Sequence, residues 1–214
     1  ATPDIYTLSL HDALPIYGYS GKKKTKTYQQ TLAEQTISAY TTAQPVVFST
    51  SDQDPKERHY TIFYGDTGHT YETILEPYFS GAKNIEIEDP YIRMTHQIQN
   101  LVRLCEVIVK LSNIKRIDVI TGYDDDTQKL DIEQKLGDLK QSLLEVDIVL
   151  DFDFNPNIHD REIRLDNGWV VKIGRGLDFY QKPQSWNEIG AIDLSLRKCL
   201  ETKVDIYKAE NVDT

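Results

Sequence analysis

One stretch, Ile158-His159-Asp160-Arg161-Glu162-Ile163-Arg164-Leu165-Asp166-Asn167-Gly168-Trp169-Val170-Val171-Lys172-Ile173-Gly174-Arg175-Gly176, gathers the residue types that phosphate chemistry uses. It holds an imidazole, guanidinium and ammonium groups and a carboxylate, between two runs that alternate like strands. A neutral imidazole is a competent nucleophile near neutral pH, and fixed cations stabilise the charge that builds on phosphoryl oxygens. His159, Arg161 and Asp166 stand in the spacing H-x-R-x4-D and are the candidate catalytic residues. His159, Arg161, Arg164, Lys172 and Arg175, with Arg93 from an earlier block, are the candidate ligand-binding residues. Each has a structural reading beside the functional one. His159 follows the turn Asn155-Pro156-Asn157, and Asp166-Asn167-Gly168 signals a hairpin whatever else Asp166 does. Lys172 and Arg175 are also strand-end charges, and Trp169 fits a core better than a ligand stack.

H-x-R-x4-D is one residue type away from H-x-K-x4-D, the signature of the phospholipase D superfamily. Three blocks, in family order, resemble the phospholipase-D-like domain at the C-terminus of MIT proteins, the MIT_C family. They are IHDREIRLDNGWVVKIGRGLDFYQKPQ, the earlier Ile87-Glu88-Asp89-Pro90-Tyr91-Ile92-Arg93 with Thr95-His96-Gln97, and the tail Glu201-Thr202-Lys203-Val204-Asp205-Ile206-Tyr207. The resemblance runs from Arg58 to Tyr207 and implies an α/β fold, a phospholipase-D-like mixed sheet flanked by helices. In catalytic relatives a histidine attacks phosphorus, and a second histidine from another copy of the motif protonates the leaving oxygen. A lysine neutralises the non-bridging oxygens and the aspartate orients an imidazole. His159 takes the nucleophile position, Arg161 the lysine position and Asp166 the acidic one. One motif per chain implies a homodimer that joins two His159 rings across a two-fold axis. Arginine keeps the charge and adds a planar fork suited to phosphate, but it is larger and cannot lose its proton.

The family's domain is regarded as a degenerate, dimeric binder of acidic phospholipid head groups, and Asp166 departs from it toward the catalytic pattern. The leading expectation is therefore a binding domain for phosphate-containing ligands such as anionic phospholipid head groups. It is expected to be the C-terminal part of a larger protein, cytoplasmic and peripheral at membranes. The alternative is an active, metal-independent dimeric phosphodiesterase, nuclease or phospholipase, with His159 as nucleophile; nucleic acid is a ligand only under that alternative. A third reading is a protein-binding module. No cofactor and no metal is implied. ESCRT partners, which the MIT domain of eukaryotic relatives binds, are not carried over, because no MIT three-helix unit is visible.

Composition narrows these classes. The 214 residues suffice for one domain plus an arm. A formal net charge of -10, from 34 acidic against 24 basic residues, excludes a general nucleic-acid coat protein. A phosphate ligand must therefore meet a local basic patch. Cys105 and Cys199 form no CxxC pair and read as packed thiols of a reduced protein. No apolar run approaches the ~20 residues of a membrane span.

Residues 1–16 resemble a translated sequencing adapter and carry no fold inference. Residues 17–57 read as a flexible N-terminal arm or linker, with a basic cluster at Lys22–Lys26 and a short helix over Thr31–Tyr40. Residues 58–208 are the domain and 209–214 a polar tail. Within the domain the pattern predicts strands at Tyr60–Tyr64, Lys83–Asp89, Ile114–Thr121, Val146–Phe154, Arg161–Leu165 and Trp169–Ile173, with shorter ones at Ala191–Leu194 and Lys203–Tyr207. Helices are predicted at Thr70–Phe79, from Met94 to Val109 with an apolar stripe that includes Cys105, and at Thr127–Leu144. The acidic loop Gly122–Thr127 reads as a solvated helix start rather than a calcium loop. Arg93 is a candidate ion-pair partner of Glu88-Asp89, and His96 and Arg103 read as surface residues of the long helix. Strands alternating with helices place the fold in the α/β class.

Overall fold

The computed structural model describes residues 55–209. The expectations for the adapter-like segment, for most of the arm with its basic cluster and helix, and for nearly all of the tail lie outside the described residues.

Alternation of apolar and polar side chains governs the architecture. The described residues form seven strands: β1 (Arg58–Ile62), β2 (Asn84–Glu88), β3 (Arg116–Thr121), β4 (Val149–Phe154), β5 (Glu162–Leu165), β6 (Trp169–Ile173) and β7 (Thr202–Lys208). They form one mixed sheet in the order β1-β7-β6-β5-β2-β3-β4. β2, β3 and β4 run parallel, and the other neighbouring pairs are antiparallel. The register lines up the apolar residues across the sheet. Leu165 pairs with Ile85 and Ile85 with Ile117, while Ile163 pairs with Val171 and Val171 with Ile206. Those side chains therefore share one face, and charged residues such as Glu86, Asp118, Arg164 and Lys172 share the other.

The helices are α1 (Tyr71–Leu75), α2 (Thr95–Leu111) and α3 (Asp126–Leu144). Thr70 caps α1: its hydroxyl accepts the Thr73 N–H at 3.1 Å, and the Thr73 hydroxyl accepts the Thr70 N–H at 2.9 Å. The N-cap position of α2 falls on Met94, which has no acceptor suited to the task. Gln97 instead reaches back, its Oε1 accepting the Met94 N–H at 2.9 Å. Asp125 caps α3 through the Gln128 N–H at 2.8 Å, so the acidic loop does act as a helix start. Ile98, Leu101, Leu104, Cys105 and Ile108 form the buried stripe of α2 and join the apolar face of the sheet in one core. Each fully buried leucine or isoleucine there contributes about 1.5–3 kcal/mol. Both cysteines are free and buried. Burial pushes the Cys105 thiol up to about 12 and the Cys199 thiol to about 11, so neither is a ready nucleophile.

Two strand expectations are corrected. β1 ends at Ile62, because Gly65 turns the chain at φ 90° and leaves Phe63 and Tyr64 exposed. Ala191–Leu194 is not a strand. Gly190 has φ 83°, Asp193 caps a short 3-10 turn at Leu194–Leu196, and the Arg197 guanidinium holds the Gly190 and Ala191 carbonyls.

Candidate phosphate-binding edge and family

The ends of β2, β3, β4 and β6 and the start of β5 lie at the same edge of the sheet. In open α/β sheets the carboxyl ends of the parallel strands are where ligands bind. Glu88 pairs with Glu162, so Asp89, the next residue along β2, sits opposite Arg161, which precedes β5.

Asp89 is buried and anchors three segments. Its Oδ1 accepts the Tyr91 N–H at 2.9 Å and its Oδ2 the Leu177 N–H at 3.4 Å. Its Oδ1 also lies 3.9 Å from Arg161 Nε. Burial pushes its carboxyl above the ordinary range, opposed by the Tyr91 N–H and the Arg161 charge. Gly176 fits against this carboxylate at φ 59°; a Cβ there would stand 1.9 Å from Asp89 Oδ2. Arg161 donates through Nη1 to the Gly174 carbonyl at 2.7 Å. Its guanidinium carbon lies 4.2 Å from the centroid of the Tyr91 ring. Behind Arg161 a small cavity of about 10 Å³, lined also by Ile87, Ile163, Val171 and Leu177, is too small for phosphate.

The Tyr91 ring also carries Arg93, at 5.0 Å. Arg93 pairs with Asp124 rather than with Glu88 or Asp89. Arg161 and Arg93 are thus brought together through an aromatic side chain that the residue pattern alone did not single out. The signal for it was present in Asp89-Pro90-Tyr91, directly after an alternating strand.

His159 is exposed and makes no hydrogen bond to a described residue. Asp166 lies at the opposite end of β5. Its carboxylate accepts the Lys83 N–H and an Asn84 Nδ2–H, both at 2.8 Å, which ties the β5–β6 turn to the start of β2. The turn itself forms as the sequence predicts, with Gly168 at φ 93° and its N–H donating to the Leu165 carbonyl. Asp166 is therefore not brought to His159 and Arg161.

Arg164 and Lys172 lie on the charged face of the sheet, where both meet buried Glu162. The Lys172 Nζ is 2.9 Å from Glu162 Oε2, and that hydrogen bond raises the ammonium above its ordinary value. Arg175 is exposed; its Nε donates to the Glu201 carbonyl at 3.0 Å. Trp169 is buried against Tyr78, with centroids 4.8 Å apart. Among the described residues no cluster of His, Cys, Asp or Glu is arranged to hold a metal, and no helix is long and apolar enough to cross a membrane.

Glu88 gives a pH prediction. Burial, and then the Glu162 charge beside it, hold its carboxyl above the ordinary range. The folded chain thus takes up this proton more readily than the unfolded chain, and the contribution of Glu88 to stability rises as pH falls toward the ordinary glutamate value. Urea unfolding at pH 7 and pH 5 should show a smaller acid gain, or a larger acid loss, in Glu88→Gln than in wild type. An identical pH response in the two proteins would exclude this coupling.

The family description "Phospholipase D-like domain at C-terminus of MIT" matches residues 68–208. Mouse MIT domain-containing protein 1 is 44% identical over 146 residues, covering 66% of this chain and 57% of that protein. The chain therefore spans little more than half the length of this relative. Among solved structures, the phosphatidylserine synthase of Haemophilus influenzae Rd KW20 aligns over 70% of this chain and 34% of its own, at 14% identity and a TM-score of 0.35. With two thirds of its length matched, including the Asp89, Arg161 and Gly176 segments, the chain belongs to the family of phospholipase D-like domains found at the C-terminus of MIT proteins.

Proposed function

We propose that this domain binds phosphate-containing ligands, anionic phospholipid head groups first among them, without catalysing their hydrolysis. The observation that carries this reading is the Arg161 clamp. The Gly174 carbonyl and the Tyr91 ring hold the guanidinium, with the Asp89 carboxylate 3.9 Å from its Nε, while its side chain stays 27% exposed at the carboxyl-end edge of the parallel strands. A planar fork held in this way suits phosphate oxygens. Arg93, stacked on the same ring, adds a second cation. His159 and Arg175 are further exposed contacts at this edge, whereas Arg164 and Lys172 are engaged by Glu162 and are proposed as supporting charge. The non-catalytic reading is supported by Asp166, whose carboxylate is engaged at the far end of β5 and not beside His159.

The proposed working form is a homodimer, peripheral on a membrane, with the two His159-bearing edges related by a two-fold axis. Light scattering on the purified chain tests the stoichiometry. Sedimentation with phosphatidylcholine vesicles, with and without phosphatidylserine, tests the ligand. At low salt the anionic vesicles should bind the protein and the neutral ones should not, and added salt should release it. Arg161→Gln should weaken anionic-vesicle binding about tenfold, the typical value of one charge-assisted contact. Equal binding to both vesicle types would end the lipid reading. Hydrolysis of a model phosphodiester in EDTA that disappears in His159→Ala would replace it with the phosphodiesterase reading.

A further inference from the structure

We propose a second oxyanion site, independent of Arg161, in the pocket between α2 and residues 178–200. Its ligand is a phosphate ester whose apolar body lies against Trp186. The pocket has a volume of about 520 Å³, within the size range of small-molecule sites. From α2 it is lined by His96, Asn100 and Arg103, and from the later segment by Tyr180, Trp186 and Arg197. His96 remains an exposed residue of the helix, as expected, while Arg103 is half-buried where both line this pocket.

The charges inside the pocket do not balance. Arg197 is only 8% exposed, and its guanidinium donates to the carbonyls of Gly190 and Ala191. Among the described residues no carboxylate pairs with it; the Glu188 Oε1 accepts the Gln184 N–H instead. Arg103 donates to the amide oxygen of Asn100 at 2.9 Å and likewise has no described carboxylate partner. The lining carboxylate, Asp178, already accepts from Asn100 at 3.2 Å, lies 3.3 Å from His96 Nε2 and receives Gln97 Nε2 at 3.4 Å. A buried guanidinium is costly unless an anion neutralises it. The hydroxyl of Tyr180, a residue 6% exposed, has no hydrogen-bond partner among the described residues. Burial pushes its phenol up, with Arg103 and Arg197 pulling the other way, and all three residues line the pocket. The apolar side is also in place. Trp186, 63% exposed, lines the pocket and offers its ring to an apolar body.

Trp186 is the exposed one of two tryptophans, so its emission reports on the pocket directly. The full chain is titrated at low salt with inorganic phosphate and with soluble dihexanoyl phosphatidylserine. A saturable change with either probe is expected. Arg103→Gln should weaken it about tenfold and Tyr180→Phe about fivefold, with circular-dichroism melting confirming that both variants fold. These two are chosen because Arg197 also holds the backbone of its own segment. Lipid binding at least tenfold tighter than phosphate identifies a head group as the source, and equal binding a soluble phosphate ester. The proposal is overturned if neither probe gives a saturable change, if Arg103→Gln leaves the response intact, or if Arg161→Gln abolishes it.

Discussion

Gly176→Ala is expected to lower stability by about 2–5 kcal/mol, the sum of a left-handed backbone cost near 1–2 kcal/mol and an overpacking cost near 1–3 kcal/mol. The first contribution follows from φ 59°. The second follows from the added Cβ, which would meet Asp89 Oδ2 at 1.9 Å and Asp89 Cγ at 2.8 Å. Asp89 cannot swing aside cheaply, because it is buried and fixed by the Tyr91 and Leu177 N–H groups. For a domain of this size the melting temperature should fall on the order of 10 °C. Gly137→Ala is the control. Gly137 lies inside α3, and a Cβ added there would meet nothing within 4 Å, so alanine should stabilise by about 1 kcal/mol. Two glycine substitutions of opposite sign in urea unfolding would be diagnostic. A neutral Gly176→Ala would mean that the Asp89 clasp is loose.

Asp89→Ala should cost about 2–4 kcal/mol. It leaves the Leu177 and Tyr91 N–H groups without their acceptor and removes the carboxylate beside Arg161. The loss stays below that usual for a broken buried pair because the ionised carboxylate is itself disfavoured by burial. The stronger test is the double-mutant cycle with Gly176→Ala. In the Asp89→Ala background the added Cβ at position 176 no longer meets a carboxylate and retains only its backbone cost. The two effects should fall short of additivity by about 1–3 kcal/mol. Strict additivity would show that the two residues do not share a contact.

The strands of this sheet could be read in advance wherever one face is polar. Ile85 and Ile87, Ile117 and Val119, and Leu150 and Phe152 each alternate with charged neighbours, and each proved to be a paired apolar step of the core. The stripe of α2 was equally plain in its three- and four-residue steps. The edge beyond the strands was less legible. H-x-R-x4-D looks like a group on paper. Its last five steps run along an extended strand at about 3.4 Å per residue, so they carry Asp166 away from Arg161 instead of toward it. The Tyr91–Arg161 contact depends on β2 pairing antiparallel with β5, a long-range pairing that no local pattern reveals. The Arg103–Arg197 pocket was hidden for a similar reason. An irregular segment has no period to betray where it folds, and Ala191–Leu194 imitates a strand in residue types alone, while the positive-φ glycine before it turns the chain.

The pairing of β1 with β7 sets Arg58 opposite Ile206, and Glu57 Oε1 accepts the Lys208 N–H. Entry to the domain and exit from it therefore share one margin, beside the Asp166 turn and away from the Arg161 clamp. A fluorophore, affinity handle or immobilising linker introduced next to Glu57 or Lys208 would leave the clamp pointing outward. The same anchorage would let a tethered sensor present that edge to vesicles without shielding it.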